Sequence, residues 1–199
     1  MVHKTFVVRI LLVGLLVLGF AIPTITTEAA DGAPDGFRLP FRGYAQISAG
    51  PRCYCAASSC PKHGGGIDLE AIDFVVYSSG AAVLASEAGW ARAFPYAGPA
   101  GNMVKIYHPN GLTSIYAHLR DFQGIGTNAF YWVSKGQRIG TVGATGTVTG
   151  THLHFAVVVT DGQTPVRIYN IPGITWWERN PATQWCVVNG RNEGSAIGP

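Results

Sequence analysis

Two histidines one residue apart, His152 and His154, are the side chains of this sequence best suited to chemistry. They follow a glycine-rich run and lead into an apolar stretch, residues 155–159, with the pattern of a β-strand. Because strand side chains alternate, both imidazoles would lie on one face, with Leu153 and Phe155 on the other. Two imidazoles on one face can converge on one metal ion or one water molecule. The alternative is a hydrogen-bonded pair at a sheet edge that holds no ligand.

An aspartate interrupts a second apolar strand pattern. Asp73 lies within residues 71–77, which are otherwise almost entirely apolar. A carboxylate in such a strand is costly unless it is paired or bound to a metal. The alternative is a carboxylate that accepts hydrogen bonds from backbone amides. Asp73 is therefore a second candidate for the chemistry of the chain.

A predicted hairpin carries a third candidate, His118. Residues 102–108 and 112–118 have strand patterns and flank Pro109-Asn110-Gly111, a strong turn signal. We expect His118 on the strand face shared with Ser114 and Tyr116, which leaves Ile115, Ala117 and Leu119 for the core. His108, beside the turn, is expected to be a solvent-exposed polar residue.

The composition predicts a mainly β protein. Glycine (26) and proline (12) separate short β-branched and aromatic runs, and 47% hydrophobic with 13% charged residues is enough for one core. We expect a small antiparallel β-sheet domain. Further strands are predicted at 81–86 and 166–171. Loops that contact the substrate are predicted at Gly89–Gly101 and Arg120–Tyr131.

The N-terminus has the pattern of a secretory signal. A basic start, a 13-residue apolar run from Ile10 to Ile22 and the small-residue site Thr27-Glu28-Ala29 are typical of a cleaved leader. A membrane anchor is the alternative, but the run is shorter than the roughly 20 residues of a spanning helix. We divide the chain into signal (1–29), linker (30–36), domain (37–174) and packed C-terminal tail (175–199). No membrane span remains after cleavage.

Net charge and cysteine content bear on partners and compartment. The net charge of +3 comes without a Lys/Arg run, which argues against nucleic acid. Four cysteines, Cys53, Cys55, Cys60 and Cys186, suit two disulfides in an oxidising compartment, with three connectivities open. The alternative is a zinc knot of the first three cysteines with His63, which would leave Cys186 unexplained.

Four segments together resemble the M23 family, the lysostaphin/LytM-type zinc endopeptidases that cut peptide cross-links in bacterial peptidoglycan. They are Gly101-Asn-Met-Val-Lys-Ile106, Tyr116-Ala-His-Leu119, Lys135-Gly-Gln-Arg-Ile-Gly140 and Gly143-Ala-Thr-Gly-Thr-Val-Thr-Gly-Thr-His-Leu-His-Phe155. The resemblance spans about residues 72–159. It implies an antiparallel β domain with a central groove and one Zn²⁺ per chain. Asp73 and His154 would be zinc ligands, with His118 and His152 beside the catalytic water.

The first zinc ligand departs from the family pattern. The common spacing is His-x3-Asp, but Leu69 stands four residues before Asp73. We pair Asp73 with His63, ten residues upstream, since some secreted relatives use a longer spacing. Asp68 is the alternative acid and Glu70 the alternative ligand. Ala156 stands where the family often has glutamate.

The resemblance implies a secreted monomeric zinc endopeptidase acting on peptidoglycan in the cell envelope. Zinc with three protein ligands leaves room for a water whose pKa falls to about 7. His118 and His152 would share the proton transfer, and Tyr54 is a candidate oxyanion donor. Two alternatives are a degenerate domain that binds wall peptides or regulates a partner hydrolase, and a zinc-free carbohydrate-binding module built on the five tryptophans.

The cysteines support a first prediction. In exported protein, Cys53, Cys55, Cys60 and Cys186 should form two disulfides, because export favours oxidation over a thiolate metal site. Thiol titration of the denatured, non-reduced protein should find no free thiol. Four titratable thiols would contradict this.

Overall fold

The computed structural model describes residues 36–50, 63, 66–77, 80–160, 162–168, 171–178 and 191–199. The predicted signal, the linker up to residue 35, all four cysteines and Tyr54 lie outside these residues. Their predicted roles therefore stay predictions. Within the described residues, no helix is both long and apolar enough to cross a membrane.

The described residues form twelve strands and two short 3-10 helices. The strands are β1 (Gly43–Ala49), β2 (Ile72–Val76), β3 (Ala82–Leu84), β4 (Gly89–Phe94), β5 (Asn102–Tyr107), β6 (Leu112–Leu119), β7 (Asp121–Phe122), β8 (Tyr131–Val133), β9 (Arg138–Thr141), β10 (Leu153–Val159), β11 (Ile174–Glu178) and β12 (Arg191–Gly198). The 3-10 helices are Gly66–Asp68, between β1 and β2, and Gly98–Ala100, between β4 and β5. The prediction of a mainly β domain is confirmed.

Nine strands make one sheet, in the order β11-β12-β1-β2-β10-β6-β5-β4-β8, and β3, β9 and β7 make a second. Neighbouring strands in both sheets are antiparallel. Two strands from the predicted C-terminal tail belong to the large sheet, where β12 pairs with β1. The strand that carries His154, β10, lies at the centre between β2 and β6, and His152 immediately precedes it in an isolated bridge with Gly143.

The large sheet buries apolar side chains on both faces near its centre. Phe155 and Val157 of β10 belong to the main core, where Phe155 packs against Tyr116. Ala156 and Val158, on the other face of β10, belong to a smaller cluster against which the 3-10 helix residue Ile67 packs. The face of β10 that carries His154 is therefore covered at Ala156 and Val158 by this smaller apolar cluster.

Three segments differ from their predictions, one of them the predicted loop Arg120–Tyr131, which contains β7. The predicted loop Gly89–Gly101 contains β4, because Ala91 and Ala93 alternate with larger side chains and are both buried. Small inward residues and the leading Gly89 hid this strand in the sequence. The predicted strand over 166–171 does not form in its described residues, 166–168 and 171. Pro165, just before this segment, makes an isolated bridge to Val158.

The prediction that His108 is exposed is wrong. Its side chain is buried, with Nδ1 2.8 Å from the Ala88 carbonyl and Nε2 2.8 Å from Ser114 Oγ. Ser114 Oγ is 3.0 Å from Tyr116 Oη, which accepts from the Ser86 amide at 2.8 Å. The turn beside His108 is at the surface, but the ring points inward to this hydrogen-bonded chain. Burial lowers the pKa of His108, so the ring is neutral at pH 7.

Replacement of His108 tests this buried series of hydrogen bonds. His108→Ala should lower the free energy of unfolding by about 1–3 kcal/mol, because Ser114 loses a partner in a buried site. Chemical denaturation measures this, and the double variant with Ser114→Ala should lose less than the two single losses together. The pKa of His108 is lower in the folded protein than in the unfolded chain. Below about pH 6.5 the unfolded chain therefore binds a proton that the folded protein does not, and the free energy of unfolding of the wild type should fall with decreasing pH. Additive losses would contradict the coupling.

Candidate metal centre

Strand pairing brings together two of the candidate residues. β2 and β10 are antiparallel neighbours, and their register places Asp73 directly opposite His154. Directly paired residues of an antiparallel sheet extend to the same face with Cβ atoms about 4.5–5.5 Å apart. The alternation that buries Phe74 and Leu153 in the core therefore turns Asp73 and His154 outward together.

His63 completes the group from outside the sheet. Its Nε2 lies 2.8 Å from Asp73 Oδ2, while His154 Nδ1 lies 3.0 Å from Asp73 Oδ1. The two imidazole rings stack with centroids 4.9 Å apart and planes inclined by 15°. One ligand atom from each of the three residues lies within 4.8 Å of the others. Nine residues separate His63 from Asp73 in the sequence, yet the two side chains meet.

The charges of these residues depend on one another. Burial opposes ionisation of Asp73, but hydrogen bonds from His154 and His63 outweigh it and hold its pKa well below the usual range. Burial disfavours the cationic form of His154, but hydrogen bonds to Asp68 and Asp73 raise its pKa to about 9. The carboxylate between the two rings is an anion that requires a cationic neighbour.

The donor set fits zinc. Two imidazole nitrogens and one carboxylate oxygen are ligands that Zn²⁺ prefers, and three protein ligands are the number found in catalytic zinc sites. The three donor atoms lie close enough together to bind one ion. His63, Asp73 and His154 are thus the residues that would hold the metal.

His118 and His152 lie beside this group. Their ring centroids are 4.7 Å apart, and His118 is 5.8 Å from the ring of His154. His152 Nε2 is 3.7 Å from Asp73 Oδ2, and its Nδ1 is 3.0 Å from the Gly150 carbonyl. His118 Nδ1 is 3.0 Å from the Thr145 carbonyl. The structure therefore brings all five sequence-predicted site residues into one cluster.

His118 reaches this cluster by a different route from the one predicted. Ser114 and Tyr116 face the interior, whereas Ile115 packs on the opposite face with Ala156. Simple alternation would turn His118 inward with Tyr116. Its backbone φ of 60° and the register shift between β5 and β6 break the alternation and turn the imidazole toward His152. Left-handed backbone at a non-glycine residue is uncommon and is concentrated at functional sites.

Thr145 is a site residue that the sequence analysis missed. Its hydroxyl donates to the Leu119 carbonyl at 2.8 Å and accepts from the Asn102 amide at 2.9 Å, and its carbonyl faces His118. Gly101 and Gly146 allow this packing, since both have positive φ, and a Cβ atom on Gly101 would lie 2.3 Å from Thr145. The glycine spacing of residues 143–150 was the available signal.

The alternative acids occupy other positions. Asp68 Oδ1 lies 3.2 Å from His154 Nε2, the ring nitrogen that faces away from Asp73. Glu70 is buried, with Oε1 3.9 Å from Arg167 Nε. Neither belongs to the group of three in which ligand atoms converge among the described residues.

An antiparallel sheet that presents histidines and an aspartate on one face is an arrangement used by metallopeptidases. Residues 66–167 match peptidase family M23, and the chain belongs to this family. The resemblance of the sequence motifs to that family is confirmed. The matched region contains Asp73, His118, His152 and His154, but it begins after His63.

Relatives and solved structures agree with this assignment. The peptidoglycan DD-endopeptidase ShyA of Vibrio cholerae is 40% identical over 97 residues, which are 49% of this chain and 20% of ShyA. The DD-carboxypeptidase/endopeptidase Mpg of Neisseria meningitidis is 47% identical over 55 residues, 28% of this chain and 12% of Mpg. A zinc-containing peptidase from Vibrio cholerae superposes with a TM-score of 0.54 at 27% identity, covering 69% of this chain and 41% of that one. The chain thus spans a fifth or less of the curated relatives.

Loss of one ligand should abolish stoichiometric metal binding. Asp73→Ala should weaken zinc binding by more than about 100-fold, because loss of a direct ligand should exceed the 10–100-fold effect of an outer partner. Metal analysis after dialysis, supported by competition with a chelator, measures the effect. Asp121→Ala removes an exposed carboxylate that is paired with Arg120 and should keep one zinc per chain. Full zinc content in Asp73→Ala would mean that another acid is the ligand.

Proposed function

We propose that this protein is a secreted zinc metalloendopeptidase that hydrolyses peptide bonds in peptidoglycan cross-links. The observation that carries the proposal is the convergence of His63, Asp73 and His154, with His118 and His152 beside them. Three ligands would hold one zinc ion, and two further imidazoles are available for proton transfer. Membership of family M23 gives the reaction class.

Zinc in this position would act as a Lewis acid that makes water nucleophilic at neutral pH and polarises the scissile carbonyl. His118 is suited to act as the base. Burial lowers its pKa to about 4, so the ring is neutral at pH 7. Its Nδ1 faces a carbonyl oxygen and therefore carries the proton, which leaves Nε2 free to accept one from water.

His152 can share this work. Its Nδ1 faces the Gly150 carbonyl, so this nitrogen donates, and Nε2 is directed toward Asp73 and the metal ligands. A proton taken from water must reach the amine as the peptide C–N bond breaks. Two imidazoles 4.7 Å apart can divide proton acceptance and donation, each a step worth roughly 10²–10⁴-fold.

The substrate class rests on the relatives. ShyA is named as a peptidoglycan DD-endopeptidase and Mpg as a DD-carboxypeptidase/endopeptidase. The family match over residues 66–167 includes four of the five site residues. Action on the cell wall agrees with export by the predicted signal. The substrate is then bacterial peptidoglycan. We propose that the protein acts on it as a monomer outside the cytoplasm. The opposing reading, a wall-binding domain without activity, requires a missing first ligand, and the 2.8 Å contact of His63 with Asp73 favours the enzyme.

Replacement of the two neighbouring histidines tests the mechanism. His118→Ala and His152→Ala should keep zinc and fold but lose roughly 10²-fold or more in kcat, because each removes a proton-transfer partner and no ligand. Release of new amino groups from purified peptidoglycan measures the activity. Thr160→Ala, just past the far end of β10 and roughly 20 Å from His154, is a control that should keep full activity.

Several outcomes would contradict the proposal. Unchanged turnover in both histidine variants would remove these residues from the mechanism. Reducing sugars in place of amines would indicate a glycosidase. No hydrolysis by zinc-loaded wild-type protein, across walls with different cross-bridges, would favour the binding domain.

A further inference from the structure

His154 is held at both of its ring nitrogens. Nδ1 lies 3.0 Å from Asp73 Oδ1, and Nε2 lies 3.2 Å from Asp68 Oδ1. The two nitrogens of an imidazole point in diverging directions, so the two carboxylates lie on opposite sides of the ring. Nδ1 faces Asp73, another residue of the metal group, and is therefore the nitrogen suited to the metal. Nε2 and its contact with Asp68 have no place in the catalytic scheme described above.

The backbone around Asp68 is well anchored. Asp68 ends the 3-10 helix Gly66–Asp68, and its carbonyl accepts from the Ala71 amide at 3.0 Å. Ile67 packs against the small cluster that includes Ala71 and Ala156. The carboxylate of Asp68 is thus placed beside β10 by buried apolar contacts, although its side chain is 49% exposed.

We propose that Asp68 is a positioning residue for the metal centre, whose carboxylate accepts the Nε2 proton of His154. This hydrogen bond selects the tautomer in which Nδ1 has its lone pair free, and it fixes the plane of the ring. A metal-binding histidine needs both, because the wrong tautomer presents a proton to the metal. The inference rests on the proposed zinc site but is independent of the substrate.

The proposal explains the long spacing between the first two ligands. Nine residues separate His63 from Asp73, in place of the three of the common family pattern. The additional residues include the 3-10 helix and Asp68. The longer loop therefore supplies one ligand, His63, at its start, and halfway to Asp73 it supplies Asp68, the partner of another ligand. His63 differs from His154, since its own outer nitrogen, Nδ1, is buried without a hydrogen-bond partner among the described residues.

A direct ligand role for Asp68 is the competing interpretation. It would require the metal to bind His154 through Nε2, and not through the nitrogen that faces Asp73. The two roles differ in what an amide can replace. Asparagine still offers an oxygen that accepts a hydrogen bond from Nε2, but a neutral amide is a much poorer zinc ligand than a carboxylate.

Zinc affinity in three variants separates these roles. Competition with a chelator should give a Kd for Asp68→Ala that is about 10–100-fold weaker than that of the wild type, the usual effect of losing an outer partner. Asp68→Asn should stay within about threefold of the wild type. Asp121→Ala, which removes another half-exposed carboxylate, should not change the Kd and controls for charge alone.

The histidine nitrogens give a second readout that needs no activity. In ¹⁵N-labelled, zinc-loaded wild-type protein, nuclear magnetic resonance should identify His154 Nδ1 as metal-bound and Nε2 as protonated. The Nε2 proton should exchange with water faster in Asp68→Ala than in the wild type or in Asp68→Asn. The measurement on the wild type alone decides the ring orientation if Asp68→Ala does not fold.

Each outcome bears on the proposal. An Asp68→Ala affinity equal to that of the wild type, or a metal bound to Nε2, would overturn it. Equal losses in Asp68→Asn and Asp68→Ala would also overturn it, in favour of a direct ligand or a charge effect. A wild-type protein that binds no zinc would reject both this inference and the proposed function, whereas a zinc-binding wild type with insensitive Asp68 variants would reject the inference alone.

Discussion

The pairing of β2 with β10 is the constraint on which the candidate site depends. It places Asp73 opposite His154 at the centre of a nine-stranded sheet, where neighbouring strands limit movement on both sides. A one-residue slip of β10 would turn His154 to the other face and expose Leu153, and a slip of β2 would do the same to Asp73 and Phe74. Burial of those apolar residues therefore maintains the geometry of the polar ones. The burial that stabilises the fold thus also fixes the positions of Asp73 and His154.

The remaining histidines are positioned by less regular structure. His118 has a left-handed backbone, which costs about 1–2 kcal/mol at a residue with a Cβ atom. The contacts of Thr145 with Leu119 and Asn102 hold the two segments together and can offset such a cost. This backbone conformation turns the imidazole of His118 away from the core-facing side of β6 and places it beside the metal group.

The sequence analysis predicted the parts of the site that follow from local pattern. Alternation around His154 was enough to predict that its side chain lies on the face opposite Leu153 and Phe155, and four sequence segments together identified the family. It failed where a non-local contact decides the outcome. His108 looks exposed beside its turn, but Ala88 and Ser114 from other segments surround it. The orientation of His118 depends on a register shift between β5 and β6 that has no sequence signal.

Asp68 shows a further limit of the sequence analysis. Its position in the chain made it a rival to Asp73 as the metal-binding acid, because both follow His63 at short range. The distinction is geometric, since one carboxylate meets Nδ1 of His154 and the other meets Nε2. The sheet supplies two ligands, Asp73 and His154. The 3-10 helix Gly66–Asp68, which packs on the small apolar cluster through Ile67, brings Asp68 to His154 from outside the sheet. A loop can change in length during evolution more easily than a central strand. A longer spacing between His63 and Asp73 is therefore compatible with an intact centre, provided that the loop returns to the same face of β10.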